Sequence, residues 1–140
     1  MPAKDIFHDT VKTALEKDGW VIIRENFLVR LDDSSLGMFV DLAAQKLISA
    51  EKKGQKILVE VKSFQEESKL YQFHLALGQF LNYRSAVGEI MPDWMVYLAV
   101  PLKTYNEFFQ KRFIQKQVAE YNLKLLVFNP STEEIVLWKH

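Results

Sequence analysis

Residues 56–63 read KILVEVKS, and the interpretation of this stretch decides the fold. It follows the turn Lys52-Lys53-Gly54-Gln55 and is built from aliphatic and β-branched residues, so it reads as a β-strand, the clearest in the chain. Side chains alternate along a strand. Leu58, Glu60 and Lys62 therefore share one face, and Ile57, Val59 and Val61 take the other. Two opposite charges inside an apolar strand are costly to bury unless they pair or bind something. The pattern E-x-K occurs three times, at Glu51/Lys53, Glu60/Lys62 and Glu67/Lys69. The first sits at a turn and the last at a helix start, where solvation explains both. Only Glu60/Lys62 is framed by valines and needs an explanation. The plain alternative is a salt bridge on an edge strand.

Working outward toward the N-terminus, Gly37–Ala44 (GMFVDLAA) reads as a strand with an acid in it, and Leu47–Ala50 can continue it. Glu25–Leu36 is polar and carries the loop signal Asp32-Asp33-Ser34-Ser35. Trp20–Arg24 (WVIIR) reads as a strand. Before it, Phe7, Val11, Ala14 and Leu15 recur at helical spacing, which predicts a helix over Asp5–Asp18 stopped by Gly19. Toward the C-terminus, Ser68 can cap a long helix reaching about Val87. Trp94–Val100 (WMVYLAV) is an almost unbroken apolar run of strand length, as expected of a central strand covered on both faces. Thr104 to about Tyr121 reads as a third helix. Leu123–Phe128 and Glu134–Lys139 are strands joined by the hairpin turn Asn129-Pro130-Ser131-Thr132. The order α-β-β-β-α-β-α-β-β is that of an α/β fold, a mixed sheet with helices packed against it.

At 140 residues the chain is expected to form a single domain spanning 1–140. Its 49% hydrophobic and 13% aromatic content can fill a core and excludes a disordered chain. With no cysteine, disulfides, thiolate metal sites and cysteine nucleophiles are excluded. Eighteen basic against eighteen acidic residues exclude a strongly basic nucleic-acid coat but not local patches. Two such patches stand out: Lys52, Lys53 and Lys56 near the hairpin tip, and Lys111, Arg112 and Lys116 along the third helix. Solvated surface is the ordinary reading of both, and binding through them should weaken steeply with salt. No apolar run approaches the ~20 residues of a membrane helix. The segment MPAKDIFHDT has no signal-peptide core, so the expected location is the cytoplasm.

Asp41 is a second acid inside a strand, in MFVDL. Carboxylates on adjacent strands can hold a hard divalent cation. A nearby lysine can then orient or deprotonate a water, or stabilise charge on a phosphate. A strand-end acid is the plain alternative. Gln79 and Tyr83 stand at i and i+4 and so share a helix face, extended by Gln72 and Ala76. Leu70, Phe73, Leu77 and Phe80 mark the apolar side, and a core Tyr beside a Gln is unexceptional. His8 lies on the first helix next to Asp9, where a lone histidine is ordinarily a surface or satisfied residue. His74 and His140 have no supporting context.

Taken in order, His8, Asp41, Glu60-Val61-Lys62 and Gln79-Phe80-Leu81-Asn82-Tyr83 resemble the PD-(D/E)xK nuclease superfamily. The resemblance is to the branch with a histidine on the first helix and Q-x-x-x-Y after the E-x-K strand, as in RecB-type nuclease domains. The α-β-β-β-α-β order is similar to that superfamily's restriction-endonuclease-like core. Over essentially the whole chain, DIFHDTVKTALEKDGW, VDLAAQKLISAEKKGQKILVEVKSF, FHLALGQFLNY, YLAVPLKTYNEFFQ and LLVFNPSTEEIVLW resemble XisH, the fdxN-element excision controlling factor family of cyanobacteria.

That resemblance implies a role in programmed excision of a DNA element during heterocyst differentiation, alongside a site-specific recombinase and a second small factor, XisI. It implies Asp41 and Glu60 as metal ligands, with the Val61 carbonyl as a third oxygen. Lys62 would stand by the attacking water, and His8 would be a further ligand or water-positioning group. Gln79 and Tyr83 would position the lysine or the DNA phosphate. The reaction implied is Mg²⁺- or Mn²⁺-dependent phosphodiester hydrolysis. Two other readings compete: a non-catalytic accessory factor working through DNA or protein contacts, and a structural domain whose buried charges merely pair. A homodimer is a further expectation, with Phe108, Phe109 and Phe113 either its face or part of the core. Spacing adds one more expectation. If Lys53-Gly54 centres a two-residue hairpin, Glu60 pairs near Leu47, and Asp41 lies six residues further, roughly 20 Å away. A shared metal then demands a bulge or fold-back within Leu42–Lys46.

Overall fold

The computed structural model describes residues 5–27, 30–33, 38–41 and 47–140. In chain order the described residues form α1 (His8–Lys17), β1 (Val21–Phe27), β2 (Arg30–Asp33), β3 (Met38–Asp41), β4 (Leu47–Lys52) and β5 (Gln55–Val61). There follow α2 (Lys69–Ile90), β6 (Trp94–Pro101), α3 (Leu102–Glu107), a 3-10 turn at Phe108–Gln110, α4 (Arg112–Glu120), β7 (Leu125–Asn129) and β8 (Glu134–Lys139).

Six strands make one mixed sheet in the order β1-β4-β5-β6-β7-β8. KILVEVKS supplies its centre. β5 pairs antiparallel with β4 and parallel with β6, and β6 continues parallel to β7. Lys53 and Gly54 connect β4 to β5, both at positive φ (51° and 81°), as a type I′ hairpin requires. The register Ile48↔Val59 sets Leu47 opposite Glu60 one step on, as the hairpin spacing predicts.

The alternation along β5 sorts the core into two layers. Ile57, Val59 and Val61 pack with Val11 and Leu15 of α1, Tyr97, Ala99, Leu126 and Phe128. Leu58 packs on the other face with Phe73, Phe80 and Tyr83 of α2, Ile114 and Val118 of α4, and Val96, Leu98 and Val100. β6 therefore buries both of its faces, which is why WMVYLAV has no polar alternation. α1 ends in the bonds Gly19 N–H to Glu16 O and Trp20 N–H to Leu15 O, with Gly19 at φ +92°. The Ser68 hydroxyl accepts from Tyr71 N–H at 3.2 Å and opens α2. Among the described residues no helix is long and apolar enough to cross a membrane.

Three expectations about elements need correction. The polar stretch Glu25–Leu36 is not one loop: β1 runs on to Phe27, and β2 pairs antiparallel with β3 in a separate ribbon that sets Arg30 opposite Asp41. A two-stranded ribbon is held by its ladder and needs no apolar alternation, so periodicity did not reveal it. Among the described residues five strands rather than three therefore precede α2. Next, the strand at 37–44 does not continue into 47–50, because β3 and β4 belong to different sheets. Leu42–Lys46, where the fold-back is expected, lies outside the described residues. Last, the third helix is broken. Phe108–Gln110 tightens into a 3-10 turn that buries both Phe108 and Phe109, and the chain extends at Lys111 before α4.

Candidate functional site

β5 carries Glu60 on the α2 side of the sheet, where its side chain is 1% exposed. Both carboxylate oxygens are buried without a hydrogen-bond donor. Lys62, two residues on, brings Nζ to 3.6 Å from Glu60 Oε1, beyond the 2.7–2.9 Å of a charge-assisted hydrogen bond. Burial pushes the Glu60 carboxyl up to about 7, against the pull of the Lys62 ammonium. An acid so placed changes charge near neutrality, which is unusual and characteristic of functional sites.

α2 faces this carboxylate with Tyr83, which is buried. Burial, and then the Glu60 charge, hold the Tyr83 hydroxyl above its ordinary range, so it stays neutral. One turn earlier Gln79 holds a buried amide oxygen with no donor, and two turns before that Gln72 holds another. Buried polar atoms are ordinarily satisfied, so this face of α2 and β5 has coordinating capacity that the described residues do not meet. The polar stripe Gln72, Ala76, Gln79 and Tyr83 does not oppose the apolar one: Ala76, Tyr83, Phe73 and Phe80 all enter the same core. Leu70, expected on the apolar side, is exposed instead.

The end of β5 is pinned from two directions. The Asp5 carboxylate accepts from Ser63 N–H through Oδ2 and from Phe7 N–H through Oδ1, both at 2.9 Å. Phe64 then adopts φ +55°, rare for a bulky residue, with its ring against Phe108 and Phe109 and its carbonyl accepting from Lys69 Nζ at 2.9 Å. Neither anchor was visible in the sequence, because each joins residues whose relation exists only after folding.

The other expected site residues fall as follows. The backbone of Asp41 lies opposite Arg30 in the β2–β3 ribbon. His8 is buried on α1, on the sheet face opposite α2, and its Nε2 lies 3.4 Å from Glu25 Oε1. Lys12 Nζ is 3.3 Å from Glu25 Oε2. Lys12 first, then His8, hold the Glu25 carboxyl below its ordinary range. His8, Asp9 and Glu25 bring ligand atoms within 4.8 Å of one another, a grouping among the described residues that could hold a metal ion. Sequence reasoning missed Glu25, which it read only as the start of a polar stretch; the signal available was only the i, i+4 relation of His8 and Lys12. Of the hairpin lysines, Lys52 pairs with Asp18 at 3.6 Å, and Lys56 lies 5.7 Å over the Trp94 ring. Phe108 and Phe109 belong to the core rather than to a dimer face, whereas Phe113 is exposed beside Arg112 and Lys116.

Donor-free carboxylate oxygens beside a lysine suit a hard cation, which takes oxygen ligands. Glu60 therefore fits one position of a divalent metal site.

Residues 1–136 match the family model described as XisH protein. No curated protein matches the sequence. The chain is similar to the crystal structure of an XisH family protein from Nostoc punctiforme PCC 73102, at 44% identity and TM-score 0.87, over 97% of this chain and 100% of that one. It is equally similar to a fdxN element excision controlling factor protein from Anabaena variabilis, at 45% identity and TM-score 0.87, over 98% of this chain and 100% of that one.

Proposed function

The chain belongs to the XisH family, and from that premise we propose that it is a divalent-metal-dependent DNA nuclease of the PD-(D/E)xK type, acting in the excision of a DNA element. The observation that carries this reading is Glu60: a carboxylate in a central strand, two oxygens without donors, a lysine two residues on, and Tyr83 across from it. A merely structural ion pair would be expected to close to hydrogen-bond distance and to satisfy its remaining lone pairs.

In this reading Glu60 and Asp41 would hold Mg²⁺ or Mn²⁺, with the Val61 carbonyl as a further candidate, whereas His8, on the opposite face of the sheet, is placed to serve with Asp9 and Glu25 instead. The cation supplies Lewis-acid polarisation of the phosphodiester and a more acidic water. Glu60 must lose its proton to serve, which its position near pH 7 allows. Lys62 holds the water or the developing phosphate charge, and Tyr83, kept neutral, donates a hydrogen bond. Gln79 positions Lys62 or the phosphate. The partners proposed are DNA in the cytoplasm, a site-specific recombinase, XisI and a second copy of the chain.

A cleavage assay with Mn²⁺ on single-stranded, duplex and branched DNA tests the reading, with Lys62→Ala and Asp41→Ala in parallel. Cleavage that both substitutions abolish is the expected result. No cleavage of any substrate, together with metal binding indifferent to Glu60→Gln, would shift the assignment to an accessory factor without catalysis.

A further inference from the structure

The three parallel strands end at one place. β6 closes at Pro101, β7 is followed by Pro130, and β5 runs through Lys62 to the turn at Phe64. A cavity of about 510 Å³ opens there, with Phe7, Phe64, Pro101 and Pro130 as its apolar walls. Its polar lining residues are Lys69, Lys103, Thr104, Gln65 and Glu107. Two lysines against one glutamate give the lining a net positive charge. In open α/β sheets ligands bind outside the carboxyl ends of the parallel strands. Phe64 at φ +55° lines this cavity, and strained backbone of this kind clusters at functional sites; Lys69 Nζ holds it by donating to the Phe64 carbonyl.

We propose that this cavity binds one nucleotide unit, with Lys69 and Lys103 on its phosphate and the apolar walls against sugar and base. The volume exceeds what a bare phosphate needs and falls within the range of small-molecule sites. Glu60 and Lys62 lie toward the same end of β5. In the nuclease reading, on which this assignment of source rests, the nucleotide belongs to the DNA strand flanking the bond to be cut. A free nucleotide offers the same chemistry.

The test is equilibrium binding of a fluorescent single-stranded oligonucleotide in EDTA, from 50 mM to 1 M salt, with thymidine monophosphate as competitor. Lys103 is exposed and is the clean site to change. Losing one phosphate contact should lower the slope of log affinity against log salt by about 0.7. That corresponds to about eightfold weaker binding at 50 mM salt for Lys103→Gln, taking 1 M as the point where the counterion term vanishes. Lys124→Gln, a lysine outside the cavity and outside both basic patches, should leave slope and affinity unchanged. Oligonucleotide binding by wild type that Lys103→Gln does not alter, or that Lys124→Gln weakens equally, overturns the cavity assignment and leaves the nuclease reading standing. Binding of thymidine monophosphate alone, sensitive to Lys103→Gln, supports the cavity and removes DNA as its source. Binding of neither ligand by wild type overturns both.

Discussion

Lys62 Nζ stands 3.6 Å from Glu60 Oε1, near enough to attract the carboxylate and too far to donate a good hydrogen bond to it. The pair is therefore incomplete by itself. Its energetics follow from that, and they differ between the folded and unfolded chain.

Folded Glu60 keeps its proton up to about pH 7, while an unfolded glutamate releases it near 4.5. Between those values the folded state binds more protons, so stability falls as pH rises. The contribution is fully present below pH 4.5 and lost above pH 7, a difference on the order of 3 kcal/mol. Urea unfolding at pH 5 and pH 8 should show this decline, and Glu60→Gln should remove it. An unchanged slope in Glu60→Gln would assign the pH dependence to other groups.

Lys62 alone holds the Glu60 carboxyl down against burial. Lys62→Ala should move the Glu60 titration further up, readable by NMR of the side-chain carboxyl carbon. It should also cost stability at pH 8 but hardly at pH 5, where Glu60 is already neutral. Equal losses at both pH values would mean that Lys62 acts through packing of its stem.

Mn²⁺ should stabilise the protein by ligand linkage, about 2.7 kcal/mol at a concentration one hundred times its dissociation constant. The gain should be larger at pH 8 than at pH 6, because the cation competes with the Glu60 proton. Thermal unfolding with and without Mn²⁺ measures it. Glu60→Gln should abolish the shift; if His8→Ala abolishes it and Glu60→Gln does not, the metal sits at His8, Asp9 and Glu25 instead.

Lys53 occupies a left-handed position, φ 51°, at the tip of the β4–β5 hairpin. Asparagine tolerates that region better than lysine, so Lys53→Asn should stabilise by about 0.5–1 kcal/mol. The denaturation midpoint should rise without a change in m-value.

Asp5 ties α1 to the end of β5 through two backbone N–H groups. Asp5→Ala leaves both to be satisfied otherwise and should cost about 1–3 kcal/mol. Hydrogen exchange at Phe7 and Ser63 should speed up together. Faster exchange at only one would show that the bridge is not cooperative.

The legible parts of the fold were those written in local pattern. Alternation in KILVEVKS assigned its two faces, and the unbroken WMVYLAV run announced a doubly covered strand. Lys53-Gly54 fixed the register that places Leu47 beside Glu60. Other features left no periodic trace. The β2–β3 ribbon is stabilised by pairing between segments rather than by composition within either, and the break at Phe108–Lys111 follows from what the core needs.

The sequence by itself determined the strand, the face on which Glu60 and Lys62 stand, the helix that presents Gln79 and Tyr83, and the family. Each is set by short-range geometry or by residue identity along the chain. Only the tertiary structure decided that Glu60 lacks donors, that His8 meets Glu25 across from α1, and that Phe64, Lys69 and Lys103 converge where three parallel strands end. Burial and unmet hydrogen bonds belong to the packed assembly: the charge state of a carboxylate depends on what surrounds it in space, which neighbours in sequence do not specify.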